Sequence, residues 1–265
     1  MSATEPANTT KPMSTTKPMS TTKPKKKLKR PPRLYFNLRS PFSWMGLRQL
    51  EERFPQAPDV IEYFPYWDPD EKTVAALDER GSGFHYTQMS KAKHLYILQD
   101  TKRLSTRFGY TMAWPIDIDP WWERPHLAWL KARHLGRERE FYTAVTAARW
   151  ERGENICDAD VLRRVAESAG FDGDEMLAAA DDPELRAEGV DALAAAYDDD
   201  VFGIPYFKVG RHRFWGLDRV DAFLDELIPA LENAAQLTPA TPQEVPSDLL
   251  DRVGAYDSDS AGGCG

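Results

Sequence analysis

Cysteine is nearly absent from this 265-residue chain: only Cys157 and Cys264 occur, and no Cys-x-x-Cys pair is formed. That scarcity excludes a disulfide-stapled scaffold and a cysteine zinc site, and it argues against dithiol redox chemistry. Long apolar runs are also missing. No stretch approaches the roughly 18 residues a membrane span needs, so no membrane partner is expected. The N-terminus lacks the apolar core of a secretory signal, which makes a cytoplasmic location the expectation. The histidines, at 85, 94, 126, 134 and 212, have no metal-ligand spacing. They are read as structural or surface residues, and no metal is expected.

What the chain does contain is a body between two biased ends. Hydrophobic residues make up 42% of it and aromatics 11%, enough to build a substantial core. Residues 1–32 are almost wholly Thr, Pro, Lys and Ser, with Lys11-Pro12-Met13-Ser14-Thr15-Thr16 copied at 17–22 and begun again at Lys23-Pro24. Such a segment has little apolar surface to bury and is expected to be disordered. Its eight Lys or Arg and one Glu give it +7, leaving about −15 of the total −8 on the remainder. The run Lys25-Lys26-Lys27-Leu28-Lys29-Arg30 suits nucleic-acid docking, but beside so acidic a body a solubilising or self-associating arm is the preferred reading. No nucleic-acid partner is therefore expected. Residues 234–265 form a second tail rich in Pro, Ser, Asp and Gly, ending in Gly262-Gly263-Cys264-Gly265.

Between the tails, apolar periodicity predicts strands at 33–37 and 60–64 around a helix at 44–54 that aligns Trp44, Leu47, Leu50 and Phe54. Residues 70–198 read as mostly helical, with periodic segments at 88–107, 125–135, 138–152, 159–169 and 184–197. Strands return at 204–209 and 212–215. A last helix follows, capped by Asp218, with Val220, Phe223, Leu224, Leu227, Ile228 and Leu231 on one stripe. Pro229 is expected to kink that helix or end it early.

Ser40-Pro41-Phe42-Ser43 joins the first strand to its helix. By itself it is an ordinary N-cap with proline at the first helical position, yet a helix N-terminus also favours an anion. Pro205, in Val201-Phe202-Gly203-Ile204-Pro205-Tyr206-Phe207, likewise has a plain reading as the proline that opens a strand. With Leu34-Tyr35-Phe36-Asn37-Leu38-Arg39 before the first motif and Phe214-Trp215-Gly216-Leu217-Asp218-Arg219 after the second, these pieces resemble the thioredoxin-like glutathione enzymes. That DsbA-like family includes 2-hydroxychromene-2-carboxylate isomerase and the kappa-class glutathione transferases. A looser match covers Trp150 to Asp158 and Val161-Leu162, and the whole resemblance runs over about residues 33–232.

The resemblance implies an α/β fold: a thioredoxin-like sheet from 33–69 and 199–233, with a helical insertion at 70–198. It implies glutathione, or another low-molecular-weight thiol, bound with its sulfur near the Ser40 hydroxyl and the amides around Ser43. A helix N-terminus lowers the pKa of such a thiol from about 8.5. Pro205 would be cis, offering the Ile204 backbone to a peptide-like ligand. Leu217 and Asp218 would hold the cofactor, with Asp218 reaching an α-amino group. The implied reaction is reversible thiolate addition to a conjugated, aromatic-derived substrate, so the protein is expected to be a glutathione-dependent cis-trans isomerase or transferase. Trp44, Trp67, Trp121 and Trp122 are the candidate substrate pocket. Five of the eight tryptophans fall within residues 114–150, as insertion core or as aromatic wall.

The chain departs from its relatives at Asp68, Asp70 and Glu71, where they carry Asn and Lys. These acids would repel a glutathione carboxylate unless Lys72, Lys91 or Lys93 intervenes. A thiol at Cys264, on a tail of about 30 residues spanning roughly 30 Å, could replace the cofactor, though an incidental exposed cysteine is the simpler reading. Two other functions are weighed: a DsbA-like thiol–disulfide oxidoreductase, disfavoured without Cys-x-x-Cys, and a noncatalytic scaffold or binding module suggested by the altered segment 64–72. Beyond a small-molecule substrate, a homodimer is the partner considered.

Overall fold

A computed structural model describes residues 30–85 and 89–232. The expectations for residues 1–29, for the C-terminal tail from 233 and for Cys264 lie outside the described residues. At the centre is β1 (Arg33–Phe36), flanked in parallel by β2 (Glu62–Pro65) and in antiparallel by β3 (Tyr206–Val209), which pairs on with β4 (His212–Trp215). Leu34, Tyr35 and Phe36 are all fully buried, as a strand covered on both faces requires. Leu34 faces Phe207 across the ladder, and Phe207 stacks on Phe223 of α10 (Val220–Glu232) at 5.0 Å. The opposite face carries Tyr35, Phe64 and Tyr206, closed by the end of α9 (Pro183–Asp198), whose Ala195 carbonyl accepts from the Tyr35 hydroxyl.

The chain order is the expected one: β1, α1 (Pro41–Arg53), a short α2 (Ala57–Val60), β2, a run of helices, then β3, β4 and α10. Within the insertion lie α3 (Glu71–Glu79), α4 (Lys91–Phe108), α5 (Glu123–His134), α6 (Glu138–Thr146), α7 (Ala159–Ser168), α8 (Gly173–Ala178) and α9. The short helices α2, α3 and α8 are the ones that periodicity missed. The segment expected as one helix at 138–152 passes from α6 into a π-helical turn at Ala147–Glu151. β3 starts after Pro205, which has no N–H to give a ladder. α10 continues through Pro229 to Glu232 instead of stopping there. No helix among the described residues is long and apolar enough to cross a membrane.

Two buried polar contacts lock the halves together. Asp199, just past α9, accepts from Tyr35 Oη at 2.7 Å and Arg33 Nη1 at 3.0 Å, and also from Lys208 Nζ. Burial works to raise its pKa, but these donors outweigh it and hold the carboxyl below its ordinary value. His126 of α5 is fully buried between two backbone groups. Its Nε2 accepts from the Leu38 N–H at 3.1 Å and its Nδ1 faces the Trp122 carbonyl at 2.7 Å, which requires the neutral ring with the proton on Nδ1. A third close approach places α1 against the loop before β3. A Cβ on Gly46 would lie 3.0 Å from Pro205 Cγ and 3.8 Å from Leu217 Cδ1.

Two expectations follow. Burial pushes the His126 pKa down to about 3, with repulsion from Arg149 adding to it, while the unfolded ring titrates near about 6.5. The unfolded state therefore binds the extra proton first, and this residue's stabilisation, complete above about pH 6.5, is lost as pH falls toward about 3. Urea unfolding across that range should show a steeper loss for wild type than for His126→Asn, and equal slopes would contradict the buried neutral ring. Gly46→Val should cost about 1–3 kcal/mol by overpacking against Pro205, and an unchanged unfolding midpoint would refute that contact.

Candidate functional site

Ser40 caps α1 in extended conformation, φ −92° and ψ 120°, and its Oγ accepts from the Ser43 N–H at 3.2 Å. Accepting uses a lone pair, so the hydroxyl proton stays available to an anion at the helix end. Pro41 has no N–H, which leaves the Phe42 amide as the other donor of the first turn among the described residues. No acidic side chain sits there to quench the helix dipole. Ser43 is placed differently from Ser40. It is fully buried, and its Oγ accepts from the Asn37 N–H at 3.3 Å, so its side chain holds the β1–α1 loop and does not face solvent.

The loop before β3 supplies the second wall. The Ile204–Pro205 bond is cis, as the resemblance implied. Pro205 is buried against α1, and its carbonyl accepts from the Gly216 N–H at 2.9 Å, tying the loop to the turn after β4. Leu217 is buried, so only its main chain remains for a ligand. Asp218 does not cap α10, contrary to the sequence expectation. It lies inside a 3-10 turn, Leu217–Arg219, ahead of the helix, and its carboxylate, 71% exposed, accepts from Arg219 Nη1 at 2.7 Å. A rim that sequence reasoning missed stands beside this loop: the Trp215 ring covers Gly203 so closely that a Cβ there would lie 2.4 Å from Nε1, and Phe202, 57% exposed, meets Trp215 edge-on at 4.9 Å.

The candidate pocket tryptophans are mostly core. Trp67 is fully buried, donates Nε1–H to Glu123 Oε2 at 2.7 Å and stacks on His126 at 5.2 Å. Trp44 is buried in contact with Trp150 and Tyr110. Trp122 is buried with the Arg149 guanidinium over its ring at 4.9 Å and that of Arg39 at 5.7 Å. Trp121 is half-buried and donates to Asp70 Oδ2 at 3.2 Å. Trp67 therefore cannot line a substrate pocket in this arrangement, and the insertion-core reading holds for Trp122, Trp129 and Trp150. Arg149, itself 2% exposed, is pinned by a two-pronged pair to Asp117 at 2.8 and 2.9 Å.

The acidic run after β2 has partners that the sequence did not predict. Asp68 pairs with Arg39, the residue next to Ser40. Asp70 caps α3 through the Thr73 N–H and accepts from Arg186 Nη2 at 2.7 Å. Burial opposes ionisation of Asp70, but Arg186, the Thr73 amide and Trp121 hold its carboxyl far below the usual range. The neutralising groups are thus arginines, not Lys72, Lys91 or Lys93. Arg39 and Asp68 stand 29 positions apart and Asp70 and Arg186 116 apart, so no local pattern could have revealed either pair. Cys157, the one cysteine among the described residues, is buried, and desolvation pushes its thiol up to about 12.

Known proteins share this architecture. The DSBA-like thioredoxin domain matches residues 33–228. The chain is 29% identical over 196 residues to 2-hydroxychromene-2-carboxylate isomerase of Sphingobium xenophagum, covering 73% of this chain and 95% of that protein. Among solved structures, a 2-hydroxychromene-2-carboxylate isomerase superposes with TM-score 0.60 at 20% identity, over 77% of this chain and 98% of the other. A probable DsbA oxidoreductase from Streptomyces coelicolor gives 0.56 at 17%, over 76% and 89%. The cytosolic disulfide reductase DsbM from Pseudomonas aeruginosa, solved with GSH, gives 0.51 at 14%, over 76% and 98%. By the family match, the capped α1 and the cis-proline loop packed on it, this chain belongs to the DSBA-like thioredoxin domain family.

Proposed function

We propose that the protein is an enzyme that uses glutathione, or another low-molecular-weight thiol, to isomerise or conjugate a conjugated, aromatic-derived small molecule. The observation that carries this reading is the Ser40 hydroxyl at the N-terminus of α1, where the resemblance to thioredoxin-like proteins implies the nucleophilic cysteine of an oxidoreductase would stand. Cys157 cannot be that sulfur, being buried and held as a thiol. The nucleophile is therefore borrowed. The 2-hydroxychromene-2-carboxylate isomerase relative and the GSH in the DsbM structure support the same direction.

In this reading the thiol's sulfur sits at the helix end, where the Ser40 O–H and the Phe42 N–H stabilise the thiolate. Ile204 offers its main chain to the peptide-like part of the thiol, beside Leu217 and Asp218. Asp218 is exposed and accepts an α-amino group, in competition with Arg219. The thiolate adds to the β-carbon of a conjugated carbonyl, forming a C–S bond as the π electrons move to the carbonyl oxygen. The former double bond is then single and rotates. Collapse of the enolate breaks the C–S bond and returns the thiolate with the other geometry. A transferase would instead protonate the enolate and release the thioether. Phe202 and Trp215 give the substrate's apolar ring a surface beside the cis-proline loop, a role expected of Trp44, Trp67, Trp121 and Trp122 from sequence. A noncatalytic scaffold or binding module is the alternative reading; in the altered segment 64–72 Asp70 caps α3, and Asp68 and Asp70 pair with Arg39 and Arg186.

With 2-hydroxychromene-2-carboxylate and added glutathione, Ser40→Ala should lower kcat/KM by about 10²–10³-fold, the usual cost of removing one preorganised donor to a developing anion. Cys157→Ala should turn over at the wild-type rate. Full activity in Ser40→Ala would overturn the mechanism, and insulin reduction by the wild-type protein above background would favour an oxidoreductase.

A further inference from the structure

A cavity of about 410 Å³ opens along the far half of α1, between that helix, β2 and the α5–α6 pair. Its size is that of a small-molecule site. Glu51, which reaches it, lies eleven residues beyond Ser40, about 16 Å along the axis at 1.5 Å per residue. The cavity is thus remote from the capped end of the helix.

Its floor is apolar, built from Leu47, Ile61, Phe64 and Trp129. Glu51, its side chain 34% exposed, lines the same cavity. Glu51 Oε1 accepts from Tyr63 Oη at 3.3 Å, but Oε2 has its cation, Arg139 Nη2, at 3.9 Å, beyond hydrogen-bond reach. Burial raises the Glu51 pKa above the ordinary carboxylate value, which a closer cation would reverse. Most of the other charges around the opening have partners of their own: Glu62 pairs with Arg33 at 3.6 Å, and Arg133 is engaged with Glu188 at 3.7 Å, with the Tyr63 carbonyl and over the Trp129 ring at 4.3 Å, while Glu138 adds a further carboxylate.

We infer that this cavity is a second ligand site, which takes a small aromatic molecule bearing one protonated amine, with the ammonium on Glu51 and the ring on Leu47, Ile61 and Trp129. An ammonium supplies a hydrogen bond to Oε2 closer than its 3.9 Å ion pair with Arg139, and the ring replaces water over the apolar floor. A carboxylate on the same ring would be repelled by Glu51 at that position. The inference rests on the cavity alone and is independent of thiol chemistry at Ser40.

Calorimetric titration of the full chain with 2-phenylethylamine, 2-phenylethanol and phenylacetate tests it. The amine should bind at least about tenfold more tightly than the alcohol, the margin of a charge-assisted hydrogen bond, and phenylacetate should bind most weakly. Glu51→Gln should lose about tenfold in amine affinity, whereas Ser40→Ala should bind the amine as wild type does. Arg139→Ala, whose side chain is more than half exposed, should tighten amine binding and decides the matter should Glu51→Gln fail to fold. Absence of amine binding, equal binding of amine and alcohol, an unaffected Glu51→Gln or weaker binding by Arg139→Ala would each overturn the assignment.

Discussion

The hydrogen bond from the Leu38 amide to His126 Nε2 holds the loop that carries Ser40 against the helical insertion. It runs from the loop after β1 into the middle of the helical insertion, joining segments 88 positions apart. A neutral imidazole suits this place because one nitrogen can accept from an amide while the other donates to the Trp122 carbonyl. The same loop is closed from below by Asn37, whose N–H goes to Ser43 Oγ and whose Oδ1 accepts from the Arg39 N–H at 2.7 Å. With its backbone groups satisfied inward, the loop presents Ser40 in one orientation at the start of α1.

The insertion is therefore part of the site's scaffold and not an appended cover. Glu123 of α5 is buried, accepts from Trp67 Nε1 and from the Asp70 N–H at 2.8 Å, and so fixes both the end of the β2 connection and the start of α3. Burial raises the Glu123 pKa, and the Asp70 amide and Trp67 indole partly offset that. Beside it, Arg186 of α9 holds Asp70 and Arg39 holds Asp68. Two of the three acids in that run, Asp68 and Asp70, are thus spent on capping and ion pairs.

What could be read from the sequence follows the range of the interactions involved. β1, with three consecutive buried residues, and α10, with its single apolar stripe, are local patterns and were legible. So was the Ser40 cap, because a Ser-Pro pair after an apolar run carries its own geometry. The cis bond at Pro205 came from the resemblance, not from the residue alone. The tryptophans misled at Trp67 because residue type does not say whether an indole N–H will find a buried acid such as Glu123. Asp218 misled because the chain makes a 3-10 turn before α10, which moves the helix start past the acid. The Trp215–Phe202 rim is contact between adjacent segments that no periodicity encodes.

The central claim is that Ser40 and the end of α1 hold a borrowed thiolate. Calorimetric titration of wild-type and Ser40→Ala protein with glutathione, and with S-hexylglutathione, whose sulfur is blocked, tests it most directly. The account predicts that wild type binds glutathione with release of a proton, that Ser40→Ala binds it more weakly and with less proton release, and that S-hexylglutathione binds the two proteins equally and without proton release. Equal glutathione binding and equal proton release in the two proteins would contradict it.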